Sequence, residues 1–170
     1  MSKQIITTII QFILIVAAQI LLLNNIQLFG YLEPIIYVWF IILLPNNMPK
    51  WLVMILGFLM GFTVDMFSAQ LGFHTATATL TATVKPLLIS WFLNAFDDNV
   101  IVPSTRDLGF INFLLFISIT VFLHTLVYNC IETFSFSEIW QLLLRIFVST
   151  LASIILILIC DALFIRTKRE

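Results

Sequence analysis

The sequence predicts an all-α membrane protein, a bundle of six transmembrane helices. Three observations predict this class. First, 61% of the 170 residues are hydrophobic and only 10% are charged, whereas soluble domains are about 45 to 50% apolar. Second, apolar runs close to the roughly 20 residues that cross a bilayer recur along the chain. Third, the basic residues outside these runs fall on one side of a six-span arrangement.

The predicted spans form one polytopic domain, residues 1–170, without a repeat or an interdomain linker. They lie at about 4–23, 34–45, 51–68, 74–93, 110–130 and 138–164. The second span, from Pro34 to Pro45, is short: as a helix it covers roughly 18 Å of a hydrocarbon core of about 30 Å. Either residues 26–32 add embedded length, or neighbouring helices shield this helix.

The fourth span begins with threonine and alanine in alternation. This period of two is typical of a strand, but a lone strand in lipid leaves its backbone unpaired, so a helix is predicted. We expect its hydroxyls to bond to the carbonyl four residues earlier.

Orientation follows from the basic residues outside the spans, because cytoplasmic connections carry an excess of them. In the six-span arrangement both termini are therefore cytoplasmic. The residues that decide this are Lys3, Lys50, Arg106, Arg166, Lys168 and Arg169. A net charge of -1 gives no basic footprint for nucleic acid, so no nucleic-acid partner is expected.

The third span carries two glycines and an acid on one helix face. Gly57, Gly61 and Asp65 are spaced four apart, so they fall within roughly 80° of one another. Small residues at this spacing let another helix backbone approach closely, which predicts a packing groove for a helix of this chain or of a partner. Gly72 then turns the chain back towards the fourth span.

Ionisable side chains within the spans need partners, because charge among lipid tails is costly. Asp65, His124 and Arg145 are all predicted within about 10 Å of the outer interface. We expect an Asp65–Arg145 ion pair with His124 nearby, with a structural role favoured over a transport or ligand site. Lys85 either extends to the cytoplasmic headgroups or bonds to a carbonyl freed by Pro86.

Motifs for catalysis are missing. There is no zinc-protease helix, no nucleophile elbow, no phosphate-binding loop and no second aspartate for an intramembrane protease. The sequence therefore predicts a protein that is not an enzyme, without catalytic, cofactor-binding or metal-binding residues. Cys130 and Cys160 are predicted on opposite sides of the membrane, too far apart for a disulfide.

A run of separated motifs extends from the end of the second span into the fourth. It consists of Leu43-Leu44-Pro45, Gly57, Gly61, Asp65, Leu71-Gly72 and Ala76. This run resembles the MreD family of bacterial rod-shape-determining membrane proteins. Phe62 stands where the family usually has leucine, which we expect only to alter packing. Chain length and six hydrophobic segments agree with the resemblance over the whole chain.

The resemblance implies a non-enzymatic, multi-pass subunit of the cell-elongation complex, or elongasome, in the bacterial inner (cytoplasmic) membrane. Its partners would be MreC, MreB and the peptidoglycan glycosyltransferase and transpeptidase, with Pro45, Gly57, Gly61 and Gly72 as helix-packing or partner positions. The family's fold is similar to the S component of energy-coupling-factor vitamin transporters. The alternative is therefore an S component that binds a small polar molecule near Asp65, His124 and Arg145. An enzyme of lipid or wall-precursor metabolism ranks well below both.

Overall fold

The computed structural model describes residues 2–23, 33–70, 72–93, 102–133 and 139–167, and every element within these ranges is helical. The elements are α1 (Ser2–Ala18, continued as a π-helix over Gln19–Leu23), α2 (Tyr37–Leu43), α3 (Lys50–Ser68), α4 (Phe73–Leu93), α5 (Thr105–Leu108), α6 (Phe110–Glu132) and α7 (Ile139–Thr167). The predicted all-α class is confirmed. The predicted connections at 24–32, 94–101 and 134–138 and the terminal Lys168 and Arg169 lie outside the described residues.

Four of these helices are long and apolar enough to cross a membrane. They are Ile5–Leu23, Lys50–Ser68, Phe110–Glu132 and Ile139–Leu163. Their exposed sides carry large apolar residues, such as Leu14 on α1 and Phe67 on α3, as a surface in contact with lipid requires. They correspond to the first, third, fifth and sixth predicted spans.

The fourth predicted span is also a helix, 21 residues long, or about 31 Å. Its threonines and Lys85 make it less apolar than the other four. The hydroxyls of Thr77, Thr79, Thr81 and Thr83 each donate to the carbonyl four residues earlier, at 2.7 to 2.8 Å. This confirms the prediction of a helix over the alternating sequence.

The long helices pack as antiparallel neighbours, α3 on α4, α4 on α6 and α6 on α7. We call the end where α3 turns into α4 the turn end, and the opposite end the loop end. Thr81 of α4 contacts His124 of α6 towards the turn end. Phe92 meets Phe116 nearer the loop end, with ring centroids 5.9 Å apart.

The short helix α2 forms the centre of the bundle. All seven of its residues are buried, and it contacts α1, α3, α4 and α6. Phe12 of α1 packs edge-on against Phe40 with centroids 5.4 Å apart. Because all sides of α2 are covered, a helix of only two turns can be stable inside the bundle.

The second predicted span differs from the structure in its conformation. Helix begins at Tyr37, not at Pro34, and residues 33–36 before it are not helical. Leu44 after it is extended, with φ of -61° and ψ of 131°, as expected for a residue before proline. Ile36 already has helical angles, with φ of -95° and ψ of -23°. Since extended residues rise at most about 3.3 Å each and helical ones about 1.5 Å, residues 33–45 can reach up to about 25 Å, compared with about 18 Å for a helix.

Side chains from α1 and α7 bond to this non-helical backbone. Ser153 accepts the N–H of Ile35 at 2.9 Å. Gln19 accepts the N–H of Ile36 at 2.8 Å and donates to the carbonyl of Pro34 at 3.3 Å. Non-helical backbone within a membrane protein requires such burial and such partners. Gln19, in the π-helical continuation of α1, therefore supplies hydrogen bonds that a helix would otherwise provide.

Candidate functional site

Gly57 and Gly61 lie where α3 crosses the backbone of α4. A Cβ on residue 57 would lie 2.5 Å from the Cβ of Ala82 and 3.0 Å from the carbonyl oxygen of Ala78. A Cβ on residue 61 would lie 2.4 Å from the carbonyl oxygen of His74. The predicted groove therefore exists, and the helix that fills it is the chain's own α4.

Gly72 acts through its backbone conformation in the turn between α3 and α4. Its φ is +91°, in the left-handed region that favours glycine. A Cβ there would meet nothing within 4 Å, so Gly72 makes no packing contact of the kind that Gly57 and Gly61 make. Its carbonyl accepts the N–H of Ala76 at 3.0 Å, in the first turn of α4.

Asp65 caps the N-terminus of α4 from the neighbouring helix. Its carboxylate accepts the N–H of His74 at 3.1 Å and the N–H of Thr75 at 2.7 Å, and the Thr75 hydroxyl also donates to it. The first amides of a helix have no partner within the helix, and an acid there also interacts favourably with the helix dipole. The buried acid of the motif thus clamps α3 to the start of α4.

Arg145 pairs with a different acid, so the predicted Asp65–Arg145 ion pair is wrong. Its guanidinium lies 3.0 Å from the carboxylate of Glu132, the last residue of α6. Both side chains are partly exposed, at 30% and 25%. The long arginine reaches towards the turn end, where solvent lowers the cost of its charge.

Glu33 lies near this pair at the turn end. Its backbone N–H donates to Ser149 of α7 at 3.1 Å. Its carboxyl interacts electrostatically with Glu132 and with Arg145. This end of the bundle therefore has two acids beside one arginine.

A chain of hydrogen-bonded side chains crosses the interior between α2, α4 and α6. The Tyr37 hydroxyl lies 2.9 Å from Nδ1 of His74 and 2.7 Å from Nε2 of His124. Nδ1 of His124 lies 2.8 Å from the hydroxyl of Thr81. We call Tyr37, His74, His124 and Thr81 the imidazole chain. Since Asp65 bonds to the backbone of His74, Asp65 and His124 belong to one network, from which Arg145 is separate.

Lys85 is buried in the loop-end half of the bundle and does not reach outward, since its exposed fraction is 2%. Its ammonium donates to the carbonyl of Leu44. That carbonyl is available because Pro45, which is buried, keeps Leu44 extended and ends α2. Of the two predicted alternatives, extension to the headgroups is therefore wrong, and the carbonyl that Lys85 meets is that of Leu44 after α2, not one beside Pro86.

Sequence reasoning missed Tyr37, His74 and Asp161. His74 could have been identified from the sequence, because it lies on the same helix face as the polar residues Thr81 and Lys85. Asp161 of α7 is 3% exposed and accepts the hydroxyl of Thr105 at 2.6 Å, which ties α5 to α7. Tyr37 carries no signal, since its position depends on the unusual path of residues 33–45.

No family model, curated protein or solved structure matches this chain. Within the part of the chain that the structure describes, no group of three or more His, Cys, Asp or Glu is arranged to hold a metal ion. The geometry of the site therefore carries the functional argument.

Proposed function

We propose that this chain is a non-enzymatic, multi-pass subunit of the bacterial cell-elongation (rod-shape) complex. The observation that carries the proposal is the common role of the residues that resemble the MreD family. Gly57 and Gly61 admit α4, Asp65 caps it, and Gly72 makes the turn that leads into it. These residues build a closely packed hairpin, as suits a subunit that acts by helix packing.

The proposal includes six membrane crossings, with both termini cytoplasmic in the inner membrane. Residues 33–45 provide the least obvious crossing. At one end Ile35 bonds to Ser153 of α7, and at the other Leu44 bonds to Lys85 of α4. A reach of up to about 25 Å comes closer to the hydrocarbon thickness of about 30 Å than the roughly 18 Å of a helix does.

Partners must then use surfaces other than the Gly57/Gly61 groove, which α4 occupies. The exposed apolar sides of the long helices are open to a partner's transmembrane helix. By resemblance, the partners are MreC, MreB and the peptidoglycan glycosyltransferase and transpeptidase. The subunit would organise peptidoglycan synthesis by holding these proteins together.

The alternative is an S component of a vitamin transporter, whose fold the resemblance also implies. One observation favours it: Glu33, Glu132 and Arg145 form a partly exposed polar group at the turn end. Such groups fix the orientation of a small polar ligand in many sites.

Depletion of the protein in its source bacterium tests the proposal. Rounded cells, together with co-purification of an MreC-type protein, are the expected result. In the same cells, Gly61→Leu should lose the partner and the rod shape, because it separates α4 from α3. Normal rods after depletion would overturn the proposal, and a vitamin retained by the purified protein would favour the alternative.

A further inference from the structure

Only one arrangement of protons satisfies both hydrogen bonds of Thr81, the one to the Thr77 carbonyl and the one to His124. The Thr81 hydroxyl has a single proton, which it donates to the carbonyl of Thr77 at 2.8 Å. Towards Nδ1 of His124, at 2.8 Å, the same oxygen must therefore accept. His124 thus carries its proton on Nδ1, and as a neutral imidazole it has a bare Nε2.

The tautomer of His124 determines the tautomer of His74 through Tyr37. The bare Nε2 of His124 accepts from the Tyr37 hydroxyl at 2.7 Å. The single proton of Tyr37 is then used, so its oxygen accepts from Nδ1 of His74 at 2.9 Å. His74 also carries its proton on Nδ1, and its Nε2 is bare. All hydrogen bonds of the imidazole chain therefore point in the same direction: His74 donates to Tyr37, Tyr37 to His124, and His124 to Thr81.

The two ends of the imidazole chain differ in whether they can accept an added proton. At the Thr81 end the final acceptor is the peptide carbonyl of Thr77, which cannot pass a proton on. At the other end, the described residues supply no hydrogen-bond partner for Nε2 of His74. His74 is also 7% exposed, whereas His124 is completely buried. A proton can enter at His74, but these side chains provide no exit.

An acid and an aromatic ring beside His74 interact favourably with a cation at this position, against the cost of burying its charge. The titratable groups that face it among the described residues are Asp65 of α3, Tyr37 of α2, and Tyr128 and His124 of α6. Asp65 is the charged one, and it bonds to the backbone of His74 itself. The ring of Tyr128 stacks on the imidazole with centroids 4.7 Å apart, a contact that favours a cationic ring.

We infer that His74 is a buried proton-binding site, at the open end of a one-way hydrogen-bond chain that fixes the tautomer of both histidines. Protonation at Nε2 of His74 leaves every bond of the chain in place. Protonation of His124 instead makes both of its nitrogens donors, so the Tyr37 proton loses its acceptor. The added proton therefore stays on His74, beside Asp65. This site goes beyond the proposed packing function and does not depend on it.

Nitrogen NMR of the full chain in lipid nanodiscs tests the inference, because the sequence has only two histidines. With ¹⁵N-labelled histidine, both rings are expected as the Nδ1–H tautomer, which is the less common one for free histidine in water. On acidification one ring, His74, should become protonated at Nε2 while His124 stays neutral. A proton on Nε2 of His124 at neutral pH, or equal protonation of both rings, would overturn the inference.

Matched variants distinguish the effect of the hydrogen bonds in the imidazole chain from the effect of side-chain packing. Tyr37→Phe removes the link between the rings, so His74 should lose its preference for Nδ1–H. Tyr128→Phe keeps the stacked ring and loses only a hydroxyl that donates to Gln70 at 3.2 Å, so both tautomers should persist. If Tyr37→Phe does not fold, Thr81→Val should abolish the Nδ1–H preference of His124 and Thr81→Ser should restore it. A Thr81→Val protein with an unchanged His124 tautomer would contradict the assignment.

Discussion

Replacing Gly61 by alanine should separate α4 from α3 at the turn end. The new Cβ would lie 2.4 Å from the carbonyl oxygen of His74 and 2.6 Å from the Cα of Thr75, whereas ordinary contact begins at 3.4 Å. Both neighbours are backbone atoms, so no side-chain rotation can relieve the overlap. The first turn of α4 must therefore move by about 1 Å, the difference between the closest distance and ordinary contact.

That movement also acts on the cap of α4. The amides of His74 and Thr75 lie 3.1 and 2.7 Å from the Asp65 carboxylate, and a shift of about 1 Å takes both beyond hydrogen-bonding distance. Hydrogen bonds to charged groups contribute roughly 1.5 to 3 kcal/mol each, so the free energy of unfolding should fall by about 3 kcal/mol or more. The measurement is unfolding by SDS in bicelles, followed by circular dichroism.

The control for this prediction is Ala76→Leu, a larger substitution on the exposed side of α4. It should change the free energy of unfolding by less than about 0.5 kcal/mol. If Gly61→Ala is as stable as the unaltered protein, the close approach of the two helices has no energetic importance and the reasoning fails.

Two further predictions use the same unfolding measurement. Lys85→Met should cost less than about 1.5 kcal/mol or even stabilise the protein, because it keeps the volume and removes a buried charge whose described partner is the Leu44 carbonyl; a large loss would show that the charge is well compensated. Ser153→Ala should cost about 1 to 3 kcal/mol, because it leaves the buried N–H of Ile35 unpaired, and an unchanged midpoint would contradict this contact.

The helix face of Gly57, Gly61 and Asp65 could be predicted from the sequence, because helical periodicity depends only on local spacing. The helix that packs against this face could not be predicted. Both a helix of this chain and a helix of another protein fit two glycines four apart. Similarly, matching depth in the bilayer suggested Arg145 as the partner of Asp65, but depth carries no information on which helices are neighbours. Glu132, which lies at the end of the adjacent α6, was the closer acid.

The second span shows a different limit of sequence reasoning. Length indicated that residues 34–45 are too few for a helical crossing. In the structure the backbone before α2 is not helical, and Gln19 and Ser153 bond to it. In the proposed topology this backbone supplies part of the missing length. Ser153 is 118 residues away from Ile35 along the chain, so no local pattern could indicate that contact. The position of Tyr37, and hence the imidazole chain, depends on the same path.

The side of the membrane on which Asn47 lies tests the central claim most directly, that residues 33–45 cross the bilayer. Asn47 is exposed in the turn between α2 and α3. In a protein whose two natural cysteines are replaced by serine, Asn47→Cys can be labelled with a membrane-impermeant maleimide from either side of oriented vesicles. The account predicts labelling from the side on which a tag on the N-terminus is also accessible. Labelling from the opposite side would mean that residues 33–45 do not cross, and would contradict the account.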